Sequence, residues 1–129
     1  MNAIHLHLSE LDGEYSVCRL EPSEEVPTWA MQGSFFSVSR TPEELSVVCD
    51  SKHVPAEVRA EHGWRCLKVA GPLDFSLTGI LASLVSPLGE HGISIFAIST
   101  FDTDYLLIGK DNFSQAKEVL TSCGHTIGR

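Results

Sequence analysis

The sequence predicts an α+β protein of two halves, residues 1–62 and 63–129, each an antiparallel sheet with helices on one face, the first half in compressed form. Three features carry that prediction. The second half alternates short β-type runs with two stretches of helical period, in the order β-α-β-β-α-β. Each half also holds two β-rich runs separated by a short turn-forming segment, at 35–49 and 95–108, which read as one hairpin repeated. Residues 51–63 between the halves are polar and make the best boundary.

Taken in order, Ile4-His5-Leu6-His7-Leu8 alternates apolar and polar as a half-buried strand does, and Asp12-Gly13 supplies a hairpin-type turn into a second strand at 15–20. Residues 21–27 are acidic, hold two prolines and read as loop, followed by a short helical turn at 28–31. The runs 35–39 and 45–49 flank Arg40-Thr41-Pro42-Glu43-Glu44, where Pro42 suits the second position of a type I turn. A short helix is expected from Pro55, since proline is favoured at a first helical position. Residues 64–70 read as a strand that Gly71-Pro72 ends. From Ser76 the residues Leu77, Ile80, Leu81, Leu84, Val85 and Leu88 keep a helical period with one buried face; Gly92 is placed to close the helix, and Pro87 should kink or alter its last turn. Strands follow at 93–100 and 105–109. Asn112 is placed to cap a final helix with Gln115 three positions on, and Gly124 ends that helix before 125–127. This order is the ferredoxin-like split βαβ arrangement.

Composition narrows the function. Of 129 residues 43% are hydrophobic, ample for a buried interior. A formal charge of −8 with nine dispersed Lys and Arg residues argues against a nucleic-acid partner, which needs clustered cations. The most apolar stretch, 77–88, is short and interrupted by Thr78, Gly79, Ser83, Ser86 and Pro87, and no basic, apolar leader opens the chain, so a cytoplasmic location without a membrane partner is expected. Cys18, Cys49, Cys66 and Cys123 form no C-x-x-C pair and read as reduced, buried thiols. His5 and His7 are the only close histidine pair and have no Cys, Asp or Glu at a ligand spacing, so no metal and no cofactor is expected. No G-x-S-x-G elbow, Walker loop, H-E-x-x-H or G-x-G-x-x-G occurs, and Cys49-Asp50 near His53 does not make a catalytic pair by spacing alone. An enzyme is not expected.

Fold order alone leaves function open, because ferredoxin-like domains host many activities. The block Phe35-Phe36-Ser37-Val38-Ser39-Arg40-Thr41-Pro42-Glu43-Glu44-Leu45-Ser46-Val47-Val48-Cys49 resembles the signature of the tandem ACT-domain family, which includes the cytosolic arginine sensors. Gly71-Pro72-Leu73-Asp74-Phe75-Ser76-Leu77-Thr78-Gly79-Ile80 and the run from Ile93 to Tyr105 are similar to two further blocks of that family, and there is a more distant similarity to aspartate kinase regulatory domains. The resemblance implies two ACT units with a free amino acid bound at the seam between units. It places Gly71, Asp74 and Ser76 on the loop after a strand, Thr100, Phe101 and Asp104 near the second hairpin, and Ser46 and Val47 on a strand of the first half. It also implies a homodimer, and a partner enzyme as a possible recipient of the signal.

The residues themselves give that site a chemistry. A zwitterion needs an anion site and a cluster of acceptors. Backbone N–H groups at the start of the helix near 75–77 have no intrahelical acceptors and suit a carboxylate, and Asp74 either accepts from the ammonium group or caps the helix. Asp102 and Asp104 flank Thr103 at a turn, where Asp is common because it bonds local backbone; the resemblance favours Asp104 as the ligand contact. Phe101 either shields the ligand or plugs the sheet end. Ser46 points away from Leu45 and Val47 and offers a hydroxyl, with solvent exposure as its plain alternative. Trp29 and Trp64 read as core or interface anchors. The expected function is an amino-acid-binding regulatory protein without catalytic activity, the alternative a ligand-free ACT dimerisation or docking module.

Overall fold

The computed structural model describes residues 4–71 and 79–129. Eight strands are present among them: β1 (His7–Glu10), β2 (Tyr15–Leu20), β3 (Ser37–Arg40), β4 (Leu45–Asp50), β5 (Ala60–Val69), β6 (Ile95–Ser99), β7 (Asp104–Gly109) and β8 (Thr126–Gly128). Two α-helices, α1 (Ile80–Glu90) and α2 (Phe113–Ser122), belong to the C-terminal part. The chain divides into two compact units, Gly13–Trp64 and a second made of the residues up to Asp12 together with Arg65–Arg129. β5 crosses that division.

Within Gly13–Trp64, β4 lies between β3 and β2, and β2 pairs in turn with the first residues of β5. The β3–β4 hairpin sets Ser39 opposite Ser46, and its turn is held by Thr41, whose Oγ1 accepts from the N–H groups of Glu43 and Glu44 at 3.1 Å each. Where a full half would carry helices, this unit has two 3-10 turns, Thr28–Met31 and Ser51–His53. Trp29 and Ala30 from the first pack on Cys18, Val47 and Cys49. No helix starts at Pro55: Val58 N–H bonds Pro55 C=O at 3.2 Å and the chain turns into β5 at Ala60, four residues earlier than the sequence pattern suggests. The extra length pairs with β2 through a register shift beside Tyr15, and Gly63, at φ 83°, takes a backbone conformation that L side chains avoid.

In the other unit β6 pairs β7, β7 pairs β5, and β1 lies between β5 and β8. Asp12-Gly13 therefore does not close a hairpin with β2. Leu8 faces Val69 of antiparallel β5 on one side and Ile127 of parallel β8 on the other. It is fully buried in a cluster with Leu67, Leu84, Leu88, Leu106 and Leu120, and burial of such a side chain contributes about 1.5–3 kcal/mol, so the first strand belongs energetically to the C-terminal part. Both helices cover this face. Each ends as the glycines predict: Ile93 N–H reaches back to Leu88 C=O and His125 N–H to Leu120 C=O, with Gly92 at φ 73° and Gly124 at φ 97°. Asn112 occupies the cap position of α2, but its side chain makes no cap bond; at φ −108°, ψ 2° it is not extended, and a 3-10 turn, Lys110–Asn112, leads into the helix instead.

Pro87 does not stop α1, which runs to Glu90. Lacking an N–H, it leaves the Ser83 carbonyl without its helical donor. His125 supplies the replacement. It is 3% exposed, its Nε2 lies 3.2 Å from Ser83 O, and its Nδ1 accepts from Leu6 N–H at 3.1 Å, which fixes the neutral Nε2–H tautomer.

Candidate functional site

The β6–β7 hairpin closes on the four residues Thr100-Phe101-Asp102-Thr103. Two threonines hold it. Thr100 N–H and Oγ1 donate to Thr103 C=O at 2.8 and 3.1 Å, Thr103 N–H donates to Thr100 Oγ1 at 3.2 Å, and Thr103 Oγ1 donates to Val69 C=O at 2.6 Å. Because these hydroxyls do the local bonding, the turn carboxylate is not needed for it. Asp102 is exposed and makes no hydrogen bond or ion pair among the described residues. Phe101 beside it is 80% exposed.

Strand alternation then decides which side chains meet the turn. Leu67 and Val69 point into the helix-covered core, so Lys68 between them points to the other face; Leu106 and Ile108 likewise leave Tyr105 on that face. Lys68, Gly71, Thr100, Asp102, Thr103 and Tyr105 line one cavity of about 230 Å³. Lys68, like Asp102, ion-pairs with no described residue. A cation, an anion, hydroxyls and the open backbone of a glycine thus share a space of small-molecule size.

Of the residues expected from sequence, Gly71 and Thr100 line this cavity. Asp104 does not: it shares the parity of Leu106 and Ile108, and its carboxylate accepts a short hydrogen bond from Ser99 Oγ. Asp74 and Ser76, with the anion site expected near 75–77, lie outside the described residues; α1 itself begins at Ile80. Ser46 and Val47 belong to the Gly13–Trp64 unit. Ser46, half-buried, borders a separate cavity of about 210 Å³ with Arg19, Arg59, Glu44 and Glu61. Val47 has a fully buried side chain in a strand paired on both edges, which leaves it no group to offer a ligand. Sequence reasoning missed Lys68 and Tyr105 and set Asp102 aside. The available signal for Lys68 was its place between two core residues of a strand.

The cysteines are reduced, with Cys18, Cys49 and Cys66 buried and Cys123 exposed, a departure from four buried thiols that follows from the place of Cys123 at the end of α2. Among the described residues no cluster of three His, Cys, Asp or Glu side chains could hold a metal ion, and no helix is long and apolar enough to cross a membrane.

Comparison with known proteins adds an independent line. A family model described as an ACT domain matches residues 59–122, and one described as an N-terminal domain matches residues 13–57, an interval inside the Gly13–Trp64 unit. The cytosolic arginine sensor for mTORC1 subunit 1 of Bos taurus is 32% identical over 91 residues, 62% of this chain and 28% of that protein. The human putative protein CASTOR3P is 31% identical over 101 residues, 68% of this chain and 62% of its own. The chain thus spans less than two thirds of the length of either relative. A protein of known crystal structure from Agobacterium tumefaciens is 41% identical, with a TM-score of 0.93 over 98% of this chain and 96% of that one. The ligand-free regulatory subunit of aspartate kinase from Thermus thermophilus shares the fold at 10% identity, with a TM-score of 0.62 over 95% and 99% of the two chains.

Proposed function

The chain belongs to the ACT-domain family, and from that premise we propose that it is a regulatory protein which binds a free amino acid and has no catalytic activity of its own. The observation that carries this reading is that Lys68 and Asp102 line the same small cavity. An α-amino acid presents a carboxylate and an ammonium group a few bonds apart; Lys68 and the Gly71 N–H suit the first, Asp102 with the Thr100 hydroxyl and the Tyr105 phenol the second. Phe101, Asp74 and Ser76 are retained as contacts on the family pattern, and Asp104, held by Ser99 outside the cavity, as a residue that acts on the ligand only through the hairpin. Ser46 is retained through its hydroxyl. The similarity to an arginine sensor supports amino acids as the ligand class without naming one.

Occupancy would be passed on through self-association as a homodimer, and from there to a partner enzyme. A thermal-shift screen of the twenty amino acids tests the reading, since a ligand at 100 times its dissociation constant stabilises the fold by about 2.7 kcal/mol. A matching α-keto acid, lacking the ammonium group, should give a smaller shift. If none of the twenty moves the transition, the docking-module alternative takes its place.

A further inference from the structure

We infer that Thr103 is the positioning residue of this site: its buried hydroxyl, bonded to the Val69 carbonyl, holds the hairpin turn so that Asp102 faces the space between Lys68 and Gly71. The inference rests on the amino-acid reading above. Thr103 is 5% exposed, although it lies in a turn whose next two residues back, Asp102 and Phe101, are both exposed. A surface turn does not require a buried hydroxyl. The bonds that run between Thr100 and Thr103 are internal to the turn and set its shape. The bond from Thr103 Oγ1 to Val69 O, at 2.6 Å, instead ties the turn to the end of β5, one residue after Lys68 and two before Gly71.

The fixed partner makes the tie directional. Val69 lies opposite Leu8 in the sheet and its side chain is fully buried in the core, so its carbonyl cannot follow the turn outward. Releasing the hydroxyl leaves the internal bonds of the turn in place but lets it tilt on the Ser99–Asp104 rung that flanks it, carrying Asp102 away from Lys68. The effect on a ligand would then pass through Asp102. Direct contact between Thr103 and the ligand would not behave this way: with its proton committed to Val69 the hydroxyl could only accept from the ligand, and the loss of that contact would be independent of Asp102.

The test is a double-mutant cycle in the full chain. Thr103→Val, Thr103→Ser, Asp102→Asn and the Asp102→Asn/Thr103→Val pair are each titrated calorimetrically with the twenty L-amino acids in turn, and amide exchange is followed at residues 100–103. Thr103→Val should weaken binding about tenfold and speed exchange in the turn, the equivalent of one hydrogen bond to a charged group. Thr103→Ser, which keeps the donor, should restore wild-type affinity and protection. In the Asp102→Asn background Thr103→Val should cost nothing further. Thr103→Ala repeats the cycle if the valine variant does not fold. Independent, multiplying losses in the double variant, or a serine variant as weak as the valine one, would overturn the positioning role alone; a wild-type chain that binds none of the twenty would remove the amino-acid reading and this inference with it.

Discussion

His125 and Pro87 make a coupled pair whose energy can be worked out from the structure. Replacing His125 by Phe keeps a ring of similar shape and removes both polar contacts, leaving Leu6 N–H and Ser83 C=O without partners. Each orphaned backbone group costs about 1–3 kcal/mol, and because Leu6 is only half-buried we expect His125→Phe to destabilise by about 2–4 kcal/mol in total. Pro87→Ala changes half of that account: the new N–H at position 87 faces the Ser83 carbonyl, the acceptor that His125 serves in the native chain. Once the helix bond is available, loss of the histidine strands only Leu6 N–H. The two substitutions should therefore be non-additive by about 1–2 kcal/mol, the double variant being more stable than the sum of the singles predicts. Urea denaturation of the four proteins measures this directly. Additivity to within about 0.5 kcal/mol would refute the idea that His125 stands in for the missing proline N–H.

Three further expectations follow from the same description. Glu10 bonds Arg65 at 2.8 Å and Lys117 at 3.2 Å, and both cations lie 4.7 Å from the Phe113 ring; burial raises the carboxyl, but the attraction of Lys117 and Arg65 outweighs it and the native pKa is lowered. That stabilisation is present above the unfolded value, about 4.3, and is lost as pH falls through the lower native one, so Glu10→Gln should cost about 1–2 kcal/mol near neutrality and flatten the acid limb of a stability–pH curve; an unchanged acid limb would contradict it. A thiol reagent should label Cys123 alone in the native protein, with Cys66, pushed up to about 12 by burial, and the other two reacting only on denaturation; prompt labelling of two or more native thiols would oppose this. Gly92→Ala should cost about 1–2 kcal/mol by thermal melting, because φ 73° at the end of α1 disfavours any L side chain.

Local chemistry made most of the elements legible before the structure. Both hairpins, the two α-helices and their glycine ends depend on residues within a few positions of each other, and the turn at Thr41 and the closures at Gly92 and Gly124 form where the sequence puts them. What escaped was non-local. Nothing near Leu8 announces that its partners are Val69 and Ile127, so the first strand read as half of a hairpin with its sequence neighbour. Nor does Pro87 announce that a histidine 38 positions later will satisfy the carbonyl it strands. At the site the family pattern drew attention to Gly71 and Thr100, which do share the cavity, and to Asp104, which bonds Ser99. Lys68 and Tyr105 needed the sheet faces to be known, and Asp102 needed the threonines to be seen taking over the turn bonding that would otherwise occupy it.

The central claim is that this chain binds an amino acid between Lys68 and Asp102, and calorimetric titration of three variants with the amino acid giving the largest thermal shift tests it most directly. A hydrogen bond to a charged group contributes roughly 1.5–3 kcal/mol, so Lys68→Met and Asp102→Ala should each weaken binding by about tenfold to a hundredfold. Both should keep the wild-type fold, since neither side chain has a partner to lose among the described residues. Asp104→Ala should weaken it less, its carboxylate being held by Ser99 outside the cavity. Wild-type affinity in both Lys68→Met and Asp102→Ala would contradict the account, and a loss confined to Asp104→Ala would move the ligand to the opposite face of the sheet.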